Sequence, residues 1–480
     1  METLKEKTAK GLFWGGMNNG IQQLTGLVFG IILGRLLSPY DYGMMAMISI
    51  FSLIASELQS SGFKSALVNM QNPQHEDYNS ALWFNVMMGG GIYLILFFSA
   101  PLIADYYDNE DLVPLSRYAF LSFVFASWGV AQSAYLTKNL RIKEIAQTGM
   151  TAVIVSSVAG ALMAWQGFAY WSLATQTNLF ILINTLLLWY HSDWRPTLQF
   201  SWAPIKRMFP FGVRMLISAI LTHINGNILN ILIGRYFTAR GAGNYYQANQ
   251  WNQKCYLLVQ NMMAQVAQPV LVALDEERQR QLAAFRKMVR LVAFLAFPLL
   301  LGLGLVSEEF ITVTITDKWA ESAHLLRILC VAGAVIPIST MLSNLVVSKG
   351  RSDIYMWVTL ALGIMQIALM LLLHSYGVRT MVVAYTVLHV SWLLVWWVFV
   401  RRLTGYKLLM LVADVLPFAL AALAVMVVTY FITLPIGSLW LLLIARIAVA
   451  ALLYYVVMRL AHAVILEECV TFIKSKIRKP

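Results

Sequence analysis

Apolar runs of roughly 20 residues, each long enough to cross a bilayer, follow one another along the chain, with short polar segments between them. We count fourteen, at about 12–35, 44–69, 80–104, 112–136, 145–165, 169–190, 208–234, 244–272, 285–306, 321–347, 353–373, 379–400, 413–433 and 439–463. None of the connections is large enough to fold as a separate soluble domain. The pattern predicts an all-α, polytopic membrane protein of about fourteen transmembrane helices. METLKEKTAK leads straight into the first run without a small-residue cleavage site, so no cleavable signal peptide is expected.

One stretch recurs. Residues 26–43 read GLVFGIILGRLLSPYDYG and residues 226–243 read GNILNILIGRYFTARGAG. Gly26, Gly34, Arg35 and Gly43 fall on Gly226, Gly234, Arg235 and Gly243 at a constant offset of 200. At an offset of 210, Arg117, Arg141 and Gly167 fall on Arg327, Arg351 and Gly377. A repeat of this length points to one ancestral half used twice. Each copy holds six spans, an even number, so both halves enter the membrane the same way, as parallel repeats with a substrate site between them. The boundaries follow: 1–190 an N-terminal six-helix lobe, 191–207 a cytoplasmic connector, 208–400 a second six-helix lobe, 401–464 two additional helices, 465–480 a basic tail. The two additional spans have almost no internal polar groups and should mostly face lipid.

Charge refines the topology. The chain is 59% hydrophobic and only 12% charged, with a net charge of +12, against about a quarter charged residues in soluble domains. Taken alternately, one set of loops and tails holds 23 lysines and arginines and the other holds 5. By the positive-inside rule both termini lie in the cytoplasm, so the basic excess reports topology, with attraction to anionic lipid secondary and nucleic acid unneeded. The second loop, QNPQHEDYNS, is the exception, with no Lys or Arg. Cys255, Cys330 and Cys469 offer neither a disulfide framework nor metal-ligand spacing.

Four spans are unusually polar: the first two of each half. The first carries Asn18, Asn19, Gln22 and Gln23, with Gly26, Gly30 and Gly34 spaced for close approach of a neighbouring helix. The second carries Glu57 and Lys64, about 10 Å apart along a helix axis, too far to pair directly. The seventh carries Arg214, Ser218, Thr222, Asn225, Asn227 and Asn230. The eighth carries Gln247, Asn249, Gln250, Asn252, Lys254, Gln260, Asn261, Gln265 and Gln268. Glycines and single amides such as Asn85, Gln132, Gln176 and Asn178 are accounted for by packing. A whole amide stripe in hydrocarbon requires partners or water, and intramembrane ionisable groups mark function. We therefore expect a hydrated central cavity lined by Lys64, Arg214, Lys254, Asn225, Asn249, Gln250 and Asn261, with Arg35 and Arg235 at its outer rim and Glu57 its one acid. Excess positive charge in a low-dielectric chamber attracts an anion such as a phosphate or diphosphate.

The repeated GR-x7-G pattern (Gly34-Arg35 to Gly43, Gly234-Arg235 to Gly243), the six-plus-six layout and the two extra spans resemble the bacterial polysaccharide flippases of O-antigen and colanic-acid type. These belong to the multidrug/oligosaccharidyl-lipid/polysaccharide exporter superfamily. The resemblance covers essentially the whole chain. It implies a transporter of the bacterial inner membrane, not an enzyme, that flips an undecaprenyl-diphosphate-linked oligosaccharide by alternating access. It also implies that the diphosphate is received by Lys64, Arg214 and Lys254 while the polyprenyl tail stays among membrane lipids. No cofactor or metal is expected; Glu57 would serve a coupling ion, proton or sodium. A drug/cation antiporter of the same superfamily would want several intramembrane acids, and the chain offers Glu57 alone. A membrane glycosyltransferase or polymerase would want catalytic acids; only Asp105, Asp108, Glu110 and Asp111 are grouped, in one short loop, and the duplication would be unexplained.

Overall fold

A computed structural model describes residues 4–60, 63–468 and 471, leaving the side chains of 4–12, 54–60, 207, 209–222, 224 and 264–266 outside the description. Among the described residues all regular structure is helical, and the chain forms two compact units, residues 1–243 and 244–480. The first holds α1 (Leu4–Leu36), α2 (Pro39–Ser60), α3 (Phe63–Asn69), α4 (His75–Tyr107), α5 (Leu112–Ala119), α6 (Leu121–Ser127), α7 (Val130–Lys138), α8 (Ile142–Trp165), α9 (Tyr170–His191) and α10 (Trp202–Tyr236). α11 (Ala239–Ala273) starts there and runs into the second unit. That unit continues with α12 (Arg278–Leu305), α13 (Ser307–Ile315), α14 (Ala320–Ser348), α15 (Ser352–Leu373), α16 (Val378–Thr404), α17 (Leu408–Thr433) and α18 (Leu439–Leu460).

Nine helical stretches among the described residues are long and apolar enough to cross a membrane. A tenth is reached if Leu112–Ser127 and Val130–Lys138, bent by 41°, count together. The number fourteen is therefore not confirmed. α1, α2, α10 and α11 fall outside the nine, and these are the helices carrying the polar stretches. The run at 44–69 is divided between α2 and α3. Pro298 and Pro337 lie inside the helices α12 and α14 without dividing them.

The repeat is now legible as geometry. Ser38 and Thr238 sit at equivalent helix starts: Asp41 N–H donates to Ser38 Oγ (3.4 Å), and Gly241 N–H donates to Thr238 Oγ1 (3.2 Å). In the first copy Asp41 answers back, accepting from Ser38 N–H (2.8 Å) and Oγ–H (2.7 Å), a reciprocal capping box ahead of Pro39. One turn later the two glycines meet the opposite copy. A Cβ on Gly43 would overlap the carbonyl of Ala239, and one on Gly243 would overlap that of Pro39. Since Pro39 and Ala239 are also 200 apart, this is a symmetric backbone crossing, and only hydrogen in place of a side chain allows it. At the 210 offset, Gly167 (φ 88°) and Gly377 (φ 92°) turn the chain between equivalent helix pairs, and Leu140 (φ 54°) matches Gly350 (φ 72°).

Elsewhere the first unit departs from expectation. Gly26 makes no close approach, with nothing within 4 Å of where a Cβ would stand. The lysine-free QNPQHEDYNS is largely not a loop. Helix α4 begins within it at His75, and Asp77, Asn79 and Ser80 are buried. They anchor the connector. Asn79 Oδ1 accepts from Thr197 N–H (2.9 Å), Trp83 Nε1–H donates to Thr197 O (2.7 Å), and Ser201 N–H donates to Ser80 Oγ (3.1 Å). Trp194 and α10's Ile205 and Met208 join Phe63, Ala66, Leu67, Tyr78 and Leu82 in one apolar core. This segment is polar because it packs polar surface on polar surface, so the absence of cations there needs no topological explanation.

Glycine-to-alanine substitution at the crossing should cost about 1–3 kcal/mol each, because a backbone carbonyl cannot move aside as a side-chain end can. Gly43→Ala and Gly243→Ala should each lower the thermal transition and monodisperse yield of detergent-purified protein, while Gly26→Ala leaves both unchanged. Equal behaviour of all three variants would contradict the crossing.

Candidate functional site

In the first unit, Lys64 lies on α3 beside Phe63, whose ring enters the apolar core together with Ala66 and Leu67. Lys64 itself is half-buried and has no ion-pair or hydrogen-bond partner among the described residues. Asn225 is half-buried on α10, where Asn227 Nδ2 donates to His223 O (3.0 Å) and Asn230 Nδ2 to Asn227 Oδ1 (3.3 Å). Arg235 donates to the main-chain carbonyl of Tyr106 and lies 5.2 Å from the centre of the Tyr106 ring, tying the end of α10 to the end of α4. Arg35, its repeat equivalent, is exposed. The amides of α1 divide between two roles. Asn18 and Gln22 bond each other (2.9 Å) over Gly149 of α8, a packing contact, while Asn19 and Gln23 are exposed. Glu57 and Arg214 lie outside the described side chains.

In the second unit the α11 stripe also divides. Asn244 Nδ2 donates to Glu321 Oε2 (2.8 Å) and its Oδ1 accepts from Ser322 Oγ–H (2.9 Å). Asn252 sits where a side chain on Gly333 would be, and Gln260 Nε2 donates to Thr340 Oγ1 (2.6 Å). These amides form a seam along α14. The reading of the whole stripe as a cavity wall is corrected to that extent: Asn252 and Gln260 face a neighbouring helix, Gln260 with a hydrogen bond to it. The predicted site residues fall on the remainder. Asn249 is buried, Gln250 is half-buried and hydrogen-bonded to Tyr246, and Asn261 is exposed. Lys254 is half-buried with its ammonium 4.4 Å from the ring centre of Trp251, which packs edge-on against Phe310 (4.9 Å). A cation over an aromatic face is held without being neutralised. No acid partners Lys254 among the described residues.

Two acids and one arginine that sequence reasoning passed over are the most strongly paired groups in this unit. Asp414 of α17 is fully buried and receives Arg286 on both oxygens (2.8 and 3.0 Å), Arg290 Nε–H (2.5 Å) and the Tyr406 hydroxyl (2.9 Å). Arg446 of α18, 7% exposed, donates to Glu309 Oε1 (2.6 Å), Leu305 O (3.3 Å) and Thr433 Oγ1 (3.3 Å). The expectation that the two additional helices carry almost no internal polar groups is thus overturned, as is the count of a single intramembrane acid. The signal was available: an isolated charge in an otherwise apolar run requires a partner, and both residues stand alone in theirs.

Three comparisons bear on this arrangement. A family model described as "Polysaccharide biosynthesis protein" matches residues 32–324. The chain is 26% identical over 358 residues to the lipopolysaccharide biosynthesis protein WzxC of Escherichia coli (strain K12), covering 73% of this chain and 72% of that protein. In fold it is similar to the lipid II flippase MurJ in an inward closed conformation, with a TM-score of 0.72 at 14% identity over 97% of this chain and 100% of the other. It is also similar to an inward-facing multidrug resistance MATE family transporter of the MOP superfamily, with a TM-score of 0.64 at 16% identity over 80% and 95%. The long apolar helices together with these likenesses make this a multi-pass membrane protein of MurJ/MATE-like fold.

Removing one partner of a buried pair leaves an uncompensated charge, at about 3–5 kcal/mol. Arg446→Met should therefore destabilise the purified protein strongly, Glu309→Met added to it should recover most of the loss, and Arg351→Met at the exposed Arg351–Asp353 pair should leave the transition nearly unchanged. Thermal unfolding in detergent reads all three. A double variant no better than Arg446→Met would show that the pair is not the source.

Proposed function

The chain belongs to the polysaccharide biosynthesis protein family, and we propose that it is a flippase for a lipid-linked oligosaccharide precursor of a bacterial surface polysaccharide. It works in the inner membrane with both termini in the cytoplasm and makes or breaks no covalent bond. The undecaprenyl-diphosphate head group of the substrate enters a wet, cationic interior and its hydrocarbon chain stays in lipid. The carrying observation is a contrast in pairing. Asp414 and Glu309 are each taken by arginine, whereas Lys64 and Lys254 are half-buried cations with no acid partner among the described residues. An unneutralised ammonium in a low-dielectric setting is a site for a passing anion, and lysine, a compact charge on a flexible stem, releases as readily as it captures. Arg214 completes the set of cations, with Asn225, Asn249, Gln250 and Asn261 offering amides to sugar hydroxyls.

The likeness in fold to a multidrug transporter favours a second reading, exchange of a cationic drug against an ion. That chemistry needs an acid open to the cargo. The arginines occupy the acids of α13 and α17, which leaves Glu57 to do it alone. We therefore assign Glu57 to a coupling ion, proton or sodium, on the flippase reading.

Charge reversal discriminates the two. Lys254→Glu and Arg214→Glu should each abolish surface-polysaccharide export in a flippase-deficient strain while reaching the membrane at wild-type level, and full complementation by both would end the anion reading. Glu57→Gln should transport at a rate that no longer responds to collapse of the proton or sodium gradient; a retained response removes its coupling role.

A further inference from the structure

The charge around Asp414 does not balance. One carboxylate receives two guanidiniums, so a unit of positive charge is left over where α12 meets α17. Arg286 uses Nε and Nη2, but Arg290 uses only Nε. The two terminal nitrogens of Arg290 have no partner among the described residues, and its side chain is 41% exposed. Lys287, between them in sequence and also exposed, reaches Glu468 (2.8 Å). Arg286, Lys287, Arg290 and Glu468 line a cleft of about 250 Å³ whose apolar wall is Ala283, Val464 and Ile465.

The position of the cleft along α12 says what could fill it. Before Arg290 the helix carries Arg278, Arg280, Arg286 and Lys287; after it, 291–305 has no charged residue. A helix that enters an apolar layer at that point holds Arg286, Lys287 and Arg290 at the depth of lipid phosphates. Exposed apolar residues stand on the same elements: Leu409 and Val412 precede Asp414 on α17, Leu460 ends α18 just before the cleft-lining Val464, and Val464 is itself exposed. A soluble phosphate would use the cations and leave this surface unused. An acidic phospholipid uses both.

We propose that this cleft binds the phosphate of an anionic membrane lipid. Arg290 offers its free guanidinium edge to the phosphate oxygens, Lys287 turns to them from Glu468, and the Arg286–Asp414 fork fixes Arg290 in place. A planar guanidinium edge matches phosphate geometry with two parallel donors. The occupant is a resident lipid, distinct from the cargo, and the site does not depend on what the protein transports.

The test uses the full-length protein in nanodiscs and counts bound lipid by native mass spectrometry. Phosphatidylglycerol should be held about tenfold more tightly than phosphatidylcholine, as two juxtamembrane cations allow. Arg290→Gln with Lys287→Gln should bring the two lipids within about twofold of each other. Arg286 still pairs Asp414 in that variant; should it nonetheless fail to fold, Lys287→Gln alone, which alters only an exposed pair, should lower the preference about threefold. Arg401→Gln with Arg402→Gln removes two cations elsewhere and should leave the preference intact. The proposal is overturned if the cleft variants keep the full preference, if the Arg401/Arg402 variant loses as much, or if inorganic phosphate displaces the bound phosphatidylglycerol.

Discussion

Within a bilayer no water is at hand to satisfy an amide, a carboxylate or a guanidinium. Every such group must be answered by another part of the chain or by whatever the protein carries. This constraint sorts the polar residues of the second unit into two classes. Asn244, Gln260, Asp414, Glu309 and Arg446 are answered internally, by side chains on α12, α13, α14 and α18 and in the turn before α17. Lys254, over the Trp251 ring, is answered by a π face that tolerates its charge without removing it. In the first unit Lys64 has packing beside it and no counter-charge among the described residues. The first class holds helices together. The second is where a charged cargo has something to gain.

The internal repeat obeys a steric constraint of similar force. What recurs is a helix end, a hydroxyl cap and a glycine one turn later, and the structure gives each a task. Ser38 and Thr238 satisfy amides that a helix start leaves orphaned. Gly43 and Gly243 let two helix starts touch backbone to backbone. Because each glycine meets the residue four before the other, the two copies constrain one another: neither glycine can be given up while its counterpart keeps the contact. Arg235, by contrast, is spent on Tyr106, which makes the arginine of this motif a tether between α10 and α4 as well as a charge near the predicted rim.

Much of the architecture was legible because its causes are local. Apolar run length, turn glycines at 167 and 377 and cap chemistry at 38 and 238 are each written within a few residues. What escaped the sequence depends on pairs distant along the chain. Asp414 finds Arg286 and Arg290 at separations of 128 and 124 residues, and Arg446 finds Glu309 across 137. An isolated charge in an apolar run announces that a partner exists without saying where. The amide stripe of α11 misled for a related reason: helical spacing tells which residues share a face, but not whether that face meets water or a second polar helix. The connector posed the same difficulty, since His75, Asp77 and Asn79 read as a loop until the segment they hold is in place.

The distribution of paired charge also bears on movement within the second unit. A change that separated Asp414 from its arginines, or Arg446 from Glu309, would strand a charge in a low-dielectric interior at several kcal/mol each (about 3–5). Both pairs tie α17 and α18 to the α12–α13 segment, so these four helices move as one body in any transition of ordinary free energy. The seam between α11 and α14 is different. Its bonds are made by neutral amides: Gln260 meets a hydroxyl, worth about 0.5–1.5 kcal/mol, and Asn244 meets the Glu321 carboxylate, worth about 1.5–3 kcal/mol, and an amide that loses one partner can take up water or a sugar hydroxyl instead. Lys254 lies on the helix that this weaker seam holds. If the second unit changes shape while handling an anion, the sliding surface is α11 against its neighbours, with the arginine-locked helices as the frame it slides on.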